Sequence, residues 1–374
     1  GYNRMRVGIA GIGFMGWIHW LAWAKVEGME IAAICSRDPV KRSGDWTSIQ
    51  GNFGPPGEQV DLSQIACFET LDEMLKDDSI DLIDICLPPG MHETASLAAF
   101  AAGKHVLCEK PMALNTEQCD AMVAAAHAAE RQLLVGHVLP YFPEYAYVAK
   151  LAKEKTYGEL LGGEFKRTVS DPTWIEGFFD ANVAGGPLID LHVHDAHFIR
   201  ALFGMPISVS SKGRWRGDTV EYCATLFDFA DPQIVVSACG GVINQQGRPF
   251  THAFEIRFEK ATVQFDFSAF ADEAESMPLK ILTTQVLSPC AAAIQASAIC
   301  AGEASCACAM RLSTGSSITL PTASGMYAVT VRLARFTAST FLPHCSQNHW
   351  LSDSRSSPWT YDARDSTRSR LLRT

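Results

Sequence analysis

The rhythm of apolar and polar positions changes twice along the chain. From Arg6 onward, short continuous apolar runs alternate with longer amphipathic stretches. Arg6–Ile12 (RVGIAGI), Ile31–Cys35 (IAAIC), Ile80–Leu87 (IDLIDICL), His105–Cys108 and Leu133–His137 are too short and too β-branched for buried helices, and predict strands. Between them, Trp17–Val26, Leu71–Leu75, Glu93–Ala102 (ended by Gly103) and Thr116–Arg131 predict helices. This alternation predicts a parallel sheet covered on both faces. After Pro140 the helices thin out. Glu164–Val169, Ser208–Arg214, Glu221–Asp228, Ile234–Gly240, Thr251–Phe258 and Ala261–Phe267 predict strands with one helix, about Pro187–Leu202, among them. The expected fold class is α/β, with a Rossmann-type dinucleotide-binding domain followed by an α+β domain on a mainly antiparallel open sheet. Residues 1–4 are read as upstream of a natural start at Met5, 5–140 as the nucleotide-binding domain and 141–285 as a substrate and oligomerisation domain.

Composition narrows the classes of function. Apolar residues make up 47% and charged residues 19% of 374, enough for two cores and too apolar for disorder. No apolar run reaches the roughly 18 residues of a membrane span. A net charge of −10 disfavours a nucleic-acid backbone as partner. Twelve cysteines without a CxxC pair are expected to be free thiols in a reducing cytoplasm. Residues 286–374 differ from the rest. They hold eight Arg, no Lys, four acids and five cysteines, a net of +4 against −14 for the preceding residues. The lost periodicity and altered composition point to a reading-frame change in the source sequence, or to a divergent natural extension. Asp353–Arg370 reads as disorder.

Gly11-Ile12-Gly13-Phe14-Met15-Gly16 fits GxGxxG between a predicted strand and a predicted helix. In such a loop Gly11 permits the tight turn, Gly13 lets a pyrophosphate approach, and Gly16 lets helix and strand pack closely. The backbone N–H groups around Phe14 and Met15, at the helix start, would face the phosphates. Twenty residues past Gly16, where a carboxylate commonly binds the ribose 2′-hydroxyl, stand Ser36 and Arg37. An absent carboxylate and a present guanidinium favour NADP over NAD. Asp38 keeps NAD open.

Three further stretches carry a family resemblance: Leu87-Pro88-Pro89-Gly90-Met91-His92, Cys108-Glu109-Lys110-Pro111-Met112, and Gly185-Gly186-Pro187-Leu188-Ile189-Asp190-Leu191-His192-Val193-His194-Asp195. With the glycine loop, in order from about Met5 to about Thr284, they resemble the glucose–fructose oxidoreductase / inositol dehydrogenase / rhizopine catabolism (Gfo/Idh/MocA) family. The resemblance implies hydride transfer between a nicotinamide cofactor and a carbinol or carbonyl of a sugar, cyclitol or related polyol. It implies that Lys110, Asp190 and His194 are catalytic. Leu87, Pro88, Pro89, His92, Glu109 and His137 are expected near the cofactor, with Pro111 in a cis bond. Tyr141, Trp174 and His197 are candidate substrate contacts. A homo-dimer or homo-tetramer is implied through the open sheet.

The residues support part of this independently. Lys110 follows a strand C-terminus, where open α/β sheets bind ligands, and its ammonium can polarise a substrate oxygen. On one predicted helix Asp190, His194 and His197 fall at i, i+4 and i+7 and form one stripe, with His192 on the opposite side. An imidazole there can exchange the hydroxyl proton. Whether Lys110 or His194 does so is left open by the sequence. His192 and His197 depart from the commoner pattern of this helix. They invite a metal reading, yet a helix cannot aim His192 at the same ion and no metal is expected. Two other readings remain: a glycosidase that uses transient oxidation and elimination, and a non-catalytic cofactor-binding protein.

Overall fold

The computed structural model describes residues 4–51, 54–173, 175–248, 250–270 and 274–284. The readings of Trp174 and of the tail from residue 286 lie outside these residues. The first domain contains β1 (Met5–Ala10), α1 (Phe14–Trp23), β2 (Met29–Cys35), α2 (Pro39–Arg42), β3 (Ala66–Phe68) and α3 (Leu71–Met74). It continues with β4 (Leu82–Ile85), α4 (His92–Ala101), β5 (His105–Cys108), α5 (Thr116–Ala128) and β6 (Leu133–Val135). The strands form one parallel sheet in the order β3-β2-β1-β4-β5-β6. This is the strand order of dinucleotide-binding folds, whose order reverses beside β1.

The apolar runs are continuous because both sheet faces are buried. Along β4 and β5, Leu82 and Leu107 face Trp17, Ile18 and Trp46 on one side. Ile83 and Val106 face Ala99, Phe100 and Met122 on the other. The polar exception is Asp84, which is fully buried in β4. Trp17 and Trp20 meet Trp46 edge to face at 5.9 and 5.0 Å between ring centres.

The second domain comprises α6 (Pro143–Glu154), β7 (Leu160–Ser170), α7 (Val193–Phe203), β8 (Ser208–Arg216), β9 (Thr219–Asp228) and β10 (Val235–Ile243). Strands β11 (Phe250–Phe258), β12 (Ala261–Ala269) and β13 (Ala274–Thr283) follow. The sheet order is β13-β12-β11-β7-β10-β9-β8. All neighbours are antiparallel except β7 and β10, which are parallel. Helices α6 and α7 cover one face: Tyr145, Val148, Phe198 and Ile199 pack with Phe165, Phe254, Ile256 and Phe265. Leu139 and Phe142 already belong to this core, so the chain crosses between domains just after β6.

The helix expected over Pro187–Leu202 is not uniform. Leu188–His192 forms a π-helical turn, and regular α geometry begins only at Val193. The wider turn shifts residues before Val193 off a simple wheel, and such turns concentrate at functional sites.

A buried charge pair joins α7 to the sheet. Arg167 Nε and Nη2 each donate to the Asp195 carboxylate at 3.0 Å, and Arg167 Nη2 also donates to the Tyr145 hydroxyl at 3.4 Å. That hydroxyl lies 3.1 Å from His252 Nδ1, and burial holds His252 well below its ordinary pKa. Arg167→Leu should therefore lower unfolding free energy by about 3–5 kcal/mol, because it strands a buried carboxylate. Arg167→Leu/Asp195→Leu should recover most of the loss, as read by urea unfolding. Equal losses in both variants would contradict the pairing.

Candidate active site

The carboxyl ends of β1, β4 and β5 converge on one cleft, and each glycine of the loop there has a distinct job. Gly11 has a φ of +99°, and a Cβ on it would lie 2.7 Å from the Cys86 carbonyl oxygen. A Cβ on Gly16 would lie 2.1 Å from the Gly11 oxygen, whereas one on Gly13 would meet nothing within 4 Å. Gly11 and Gly16 thus close the turn, and Gly13 leaves its outer side open. Helix α1 starts at Phe14 with no side-chain cap, so its first N–H groups face that open side. This cradle fits the pyrophosphate of a dinucleotide. Phe14 and Met15 turn their side chains into the apolar layer and offer the ligand only backbone.

At the end of β2, the Ser36 hydroxyl accepts a hydrogen bond from Asp38 N at 3.3 Å. Asp38 is engaged as the cap of α2, accepting from Val40 N at 2.9 Å. Arg37 is exposed. One oxygen of the Asp38 carboxylate is therefore engaged, and the exposed Arg37 guanidinium stands beside Ser36.

Leu87, Pro88 and Pro89 follow β4, and Gly90 N donates to Val183 O at 2.9 Å, which brings a second-domain loop onto this one. His92 is fully buried, with its ring nitrogens 2.8 and 2.7 Å from the carbonyl oxygens of Pro111 and Leu87. It ties the two loops together and turns neither nitrogen to the cleft, which corrects the expectation of a cofactor contact. Glu109 is likewise buried: Oε1 lies 2.9 Å from His19 Nε2, and Oε2 accepts from Lys110 N at 3.0 Å. Its carboxylate is spent within the protein rather than offered to a ligand.

Lys110 follows directly, and its peptide bond to Pro111 is cis. Its ammonium crosses to the second domain. Nζ donates to Asp190 Oδ1 at 2.8 Å and to the Asp190 carbonyl at 2.9 Å. The two side chains are 16% and 23% exposed, so the pair is shielded yet reachable. The π-helical turn holds Asp190 here, while His192 turns away and lies 3.1 Å from the Thr225 hydroxyl in β9.

Beside this pair sit three histidines. His137, just past β6, stacks on His197 at 4.0 Å with planes 8° apart. The sequence reading assigned His137 to the cofactor and His197 to the substrate; the fold puts both rings in one stack. Burial, then the Lys110 ammonium, pushes the His194 pKa well below its ordinary value. Burial followed by His197 does the same to His137, and burial with Arg200 pushes His197 to about 4. His194 is therefore a neutral imidazole near pH 7. Its Nδ1 and that of His137 are buried without a partner among the described residues. Buried polar atoms of this kind need a partner, which water or a ligand can supply. Tyr141 packs on the second-domain core beside Leu139. A cavity of about 460 Å³ opens at the end of the second sheet, lined in part by Asp171, Phe178, Phe179 and Arg216.

Sequence reasoning passed over His19 and Asp84. His19 Nδ1 lies 2.9 Å from Asp84 Oδ2, and Trp23 Nε1 donates to the same oxygen at 2.6 Å. The signal was a histidine and an aspartate inside otherwise apolar runs. His19, Asp84 and Cys86 are close enough to ligate a metal, but short hydrogen bonds already fill the Asp84 oxygens.

The neutral histidines have a pH consequence. A histidine whose folded pKa lies below its unfolded value stabilises the fold above about pH 6.5, and that stability is lost as pH falls toward the folded pKa. The melting temperature should fall between pH 7 and pH 5, and fall less in His137→Phe/His197→Phe. A slope unchanged by that variant would refute the assignment.

Comparison with known proteins agrees with this geometry. Residues 5–137 match a family model described as an oxidoreductase family with an NAD-binding Rossmann fold. Residues 145–264 match the GFO/IDH/MocA C-terminal domain. Mouse trans-1,2-dihydrobenzene-1,2-diol dehydrogenase is 32% identical over 151 residues, 39% of this chain and 44% of that protein. Bacillus subtilis scyllo-inositol 2-dehydrogenase (NADP+) is 26% identical over 214 residues, 56% of this chain and 61% of that protein. A glycosyl hydrolase family 109 protein of Shewanella amazonensis is 29% identical over 166 residues, 43% and 34% respectively. The chain thus spans 34% to 61% of these relatives' own length. The structure of levoglucosan dehydrogenase with NADH and levoglucosan superposes with a TM-score of 0.61, covering 77% of this chain and 81% of that one at 22% identity, a likeness of fold. With both of its domains matched in order, the chain belongs to the GFO/IDH/MocA oxidoreductase family.

Proposed function

We propose that this protein is an NAD(P)-dependent oxidoreductase that interconverts a carbinol and a carbonyl on a sugar, cyclitol or related polyol. The observation that carries the reading is the Lys110–Asp190 pair. It brings a cation from the nucleotide-binding domain and a carboxylate from the second domain together at 2.8 Å in a partly shielded cleft. The names of the scyllo-inositol and dihydrodiol dehydrogenases support the substrate class.

When bound, a nicotinamide dinucleotide supplies the site that takes or gives the hydride. The chain's residues do the rest. Of the three ammonium N–H groups of Lys110, two point to Asp190, and the third serves a substrate oxygen. That contact strengthens as negative charge grows on the oxygen, when the hydroxyl proton leaves during oxidation or when hydride adds to the carbonyl during reduction. Lys110 is already protonated in this pairing, so the hydroxyl proton goes to neutral His194 during oxidation and returns from it during reduction. Asp190 fixes the direction of the ammonium. His137 and His197 wall the cleft with stacked neutral rings.

The exposed Arg37 and engaged Asp38 support NADP over NAD. The face of the second sheet away from α6 and α7 carries exposed Leu226 and Val235, which supports homo-oligomerisation through a second copy. The seven described cysteines are free, which supports a reducing, cytoplasmic setting. Among the described residues no helix is long and apolar enough to cross a membrane.

Lys110→Met and His194→Asn should each lower kcat for polyol oxidation by roughly 10²–10⁴-fold. Binding of NADPH, followed by fluorescence, should stay within a few-fold of wild type. Reduced cofactor that forms only transiently while a glycoside is cleaved would replace this reading with the glycosidase one, consistent with the family 109 relative. Arg37→Ala should weaken NADPH binding by about tenfold and leave NADH binding unchanged, in line with loss of one charge-assisted phosphate contact. Equal loss for both cofactors would overturn the NADP preference.

A further inference from the structure

Behind the cleft lies a buried chain of charged groups that the proposed reaction does not touch. His19 projects from α1 and is fully buried. Its Nδ1 lies 3.0 and 2.9 Å from the two Asp84 oxygens, and its Nε2 lies 2.9 Å from Glu109 Oε1. Asp84 comes from β4, Cys86 from the turn after it, and Glu109 from the turn after β5. Trp23 Nε1 and Cys86 Sγ donate to Asp84 at 2.6 and 3.7 Å. A ring that faces an ionised carboxylate at each nitrogen carries a proton on both, because a bare nitrogen there would repel its partner. Asp84 raises the His19 pKa well above its ordinary value against the opposing effect of burial.

We propose that His19 is a positioning residue for this site: gripped between Asp84 and Glu109, it fixes the Glu109 carboxylate that holds the Lys110 backbone, and so sets where the Lys110 ammonium meets Asp190. The inference rests on the functional reading above. The links are continuous. Glu109 spends one oxygen on His19 and the other on Lys110 N at 3.0 Å. Behind Glu109 the backbone closes in, since a Cβ on Gly136 would lie 2.8 Å from Glu109 Oε1. The carboxylate therefore has one resting place, defined by a proton on each side. The chain begins on α1, whose N-terminus is the glycine cradle, and ends at Lys110. One rigid unit thereby carries both the cofactor cradle and the ammonium, which matters because small misplacements of a reacting group cost large factors in rate.

The chemistry separates positioning from mere packing. In Glu109→Gln the amide oxygen can still accept from Lys110 N, and the amide nitrogen can donate to a singly protonated His19. Both links survive. In Glu109→Ala the hold on Lys110 N is lost, and in His19→Gln an amide that donates from one nitrogen cannot grip Asp84 and Glu109 from opposite sides, so the carboxylate that makes the hold is loosened. The readout is acetylation of Lys110 in the cofactor-free protein, followed by mass spectrometry against an exposed reference lysine. His19→Gln and Glu109→Ala should acetylate Lys110 at least fivefold faster than wild type, and Glu109→Gln should match wild type. In the same proteins kcat should fall at least tenfold for the first two while NADPH affinity changes less than threefold. Nitrogen NMR of wild type at pH 8 should show both His19 ring nitrogens protonated.

If His19→Gln does not fold, Glu109→Ala and Glu109→Gln still give the comparison. Unchanged Lys110 labelling in folded His19→Gln or Glu109→Ala, loss in Glu109→Gln equal to that in Glu109→Ala, or a neutral His19 ring at pH 8 would each overturn the proposal. The labelling and NMR results stand whether or not the protein oxidises a polyol, so failure of the functional reading is seen separately, as a wild type that binds no nicotinamide cofactor.

Discussion

The ion pair between Lys110 and Asp190 is the constraint on which the rest of the site depends. A lysine ammonium and a carboxylate in a partly buried cleft are stable there only while they face each other, because each alone would carry a desolvation cost. The pair joins a residue that ends β5 in one domain to a π-helical turn in the other. It therefore fixes the domains' approach and the position of the candidate reacting groups together. Around it the site divides by protonation state. Lys110 is a donor, while burial and the nearby ammonium keep His194 an acceptor. A cation that polarises an oxygen beside a neutral base that takes its proton is the division of labour that alcohol oxidation needs.

Two buried charge networks support this centre from opposite sides. In the second domain Arg167 and Asp195 tie α7 to β7, and Asp195 is the residue after His194. In the first domain His19, Asp84 and Glu109 tie α1, β4 and the turn after β5, and Glu109 is the residue before Lys110. Each network grips the backbone neighbour of a catalytic candidate and leaves that side chain itself facing the cleft. Buried charges are costly, and replacing them with apolar groups is often neutral for stability. Their placement beside Lys110 and His194 points to geometry, rather than stability, as what they supply.

Much of this was legible in the sequence because the first domain's strands are buried on both faces and read as unbroken apolar runs. His105–Cys108 was read to the residue, and GxGxxG between β1 and α1 located the cradle. Other elements gave weaker signals. Strand β3 is three residues long, and α6 fully buries only Tyr145, Val148 and Leu151, with alanines and lysines among them. The Asp190–His194–His197 stripe came from an ideal helix, but the π-helical turn over Leu188–His192 has a different period that local sequence does not announce. His92 and Glu109 were expected to face the cofactor. Position along the chain suggested that role, and only the fold shows their polar atoms spent on Leu87, Pro111, His19 and Lys110 N. The His19–Asp84 contact spans 65 residues, so no local pattern could reveal it.

The most direct test follows the hydride itself. The protein is incubated with NADP+ or NAD+ and with inositols and aldoses deuterated at their carbinol carbons, and the nicotinamide is examined by mass spectrometry. The account predicts that one deuterium appears in the reduced cofactor for at least one substrate, and that none appears with Lys110→Met although it still binds NADPH. Deuterium transferred equally well without Lys110, or a wild-type protein that binds the cofactor and transfers none from any of these substrates, would contradict it.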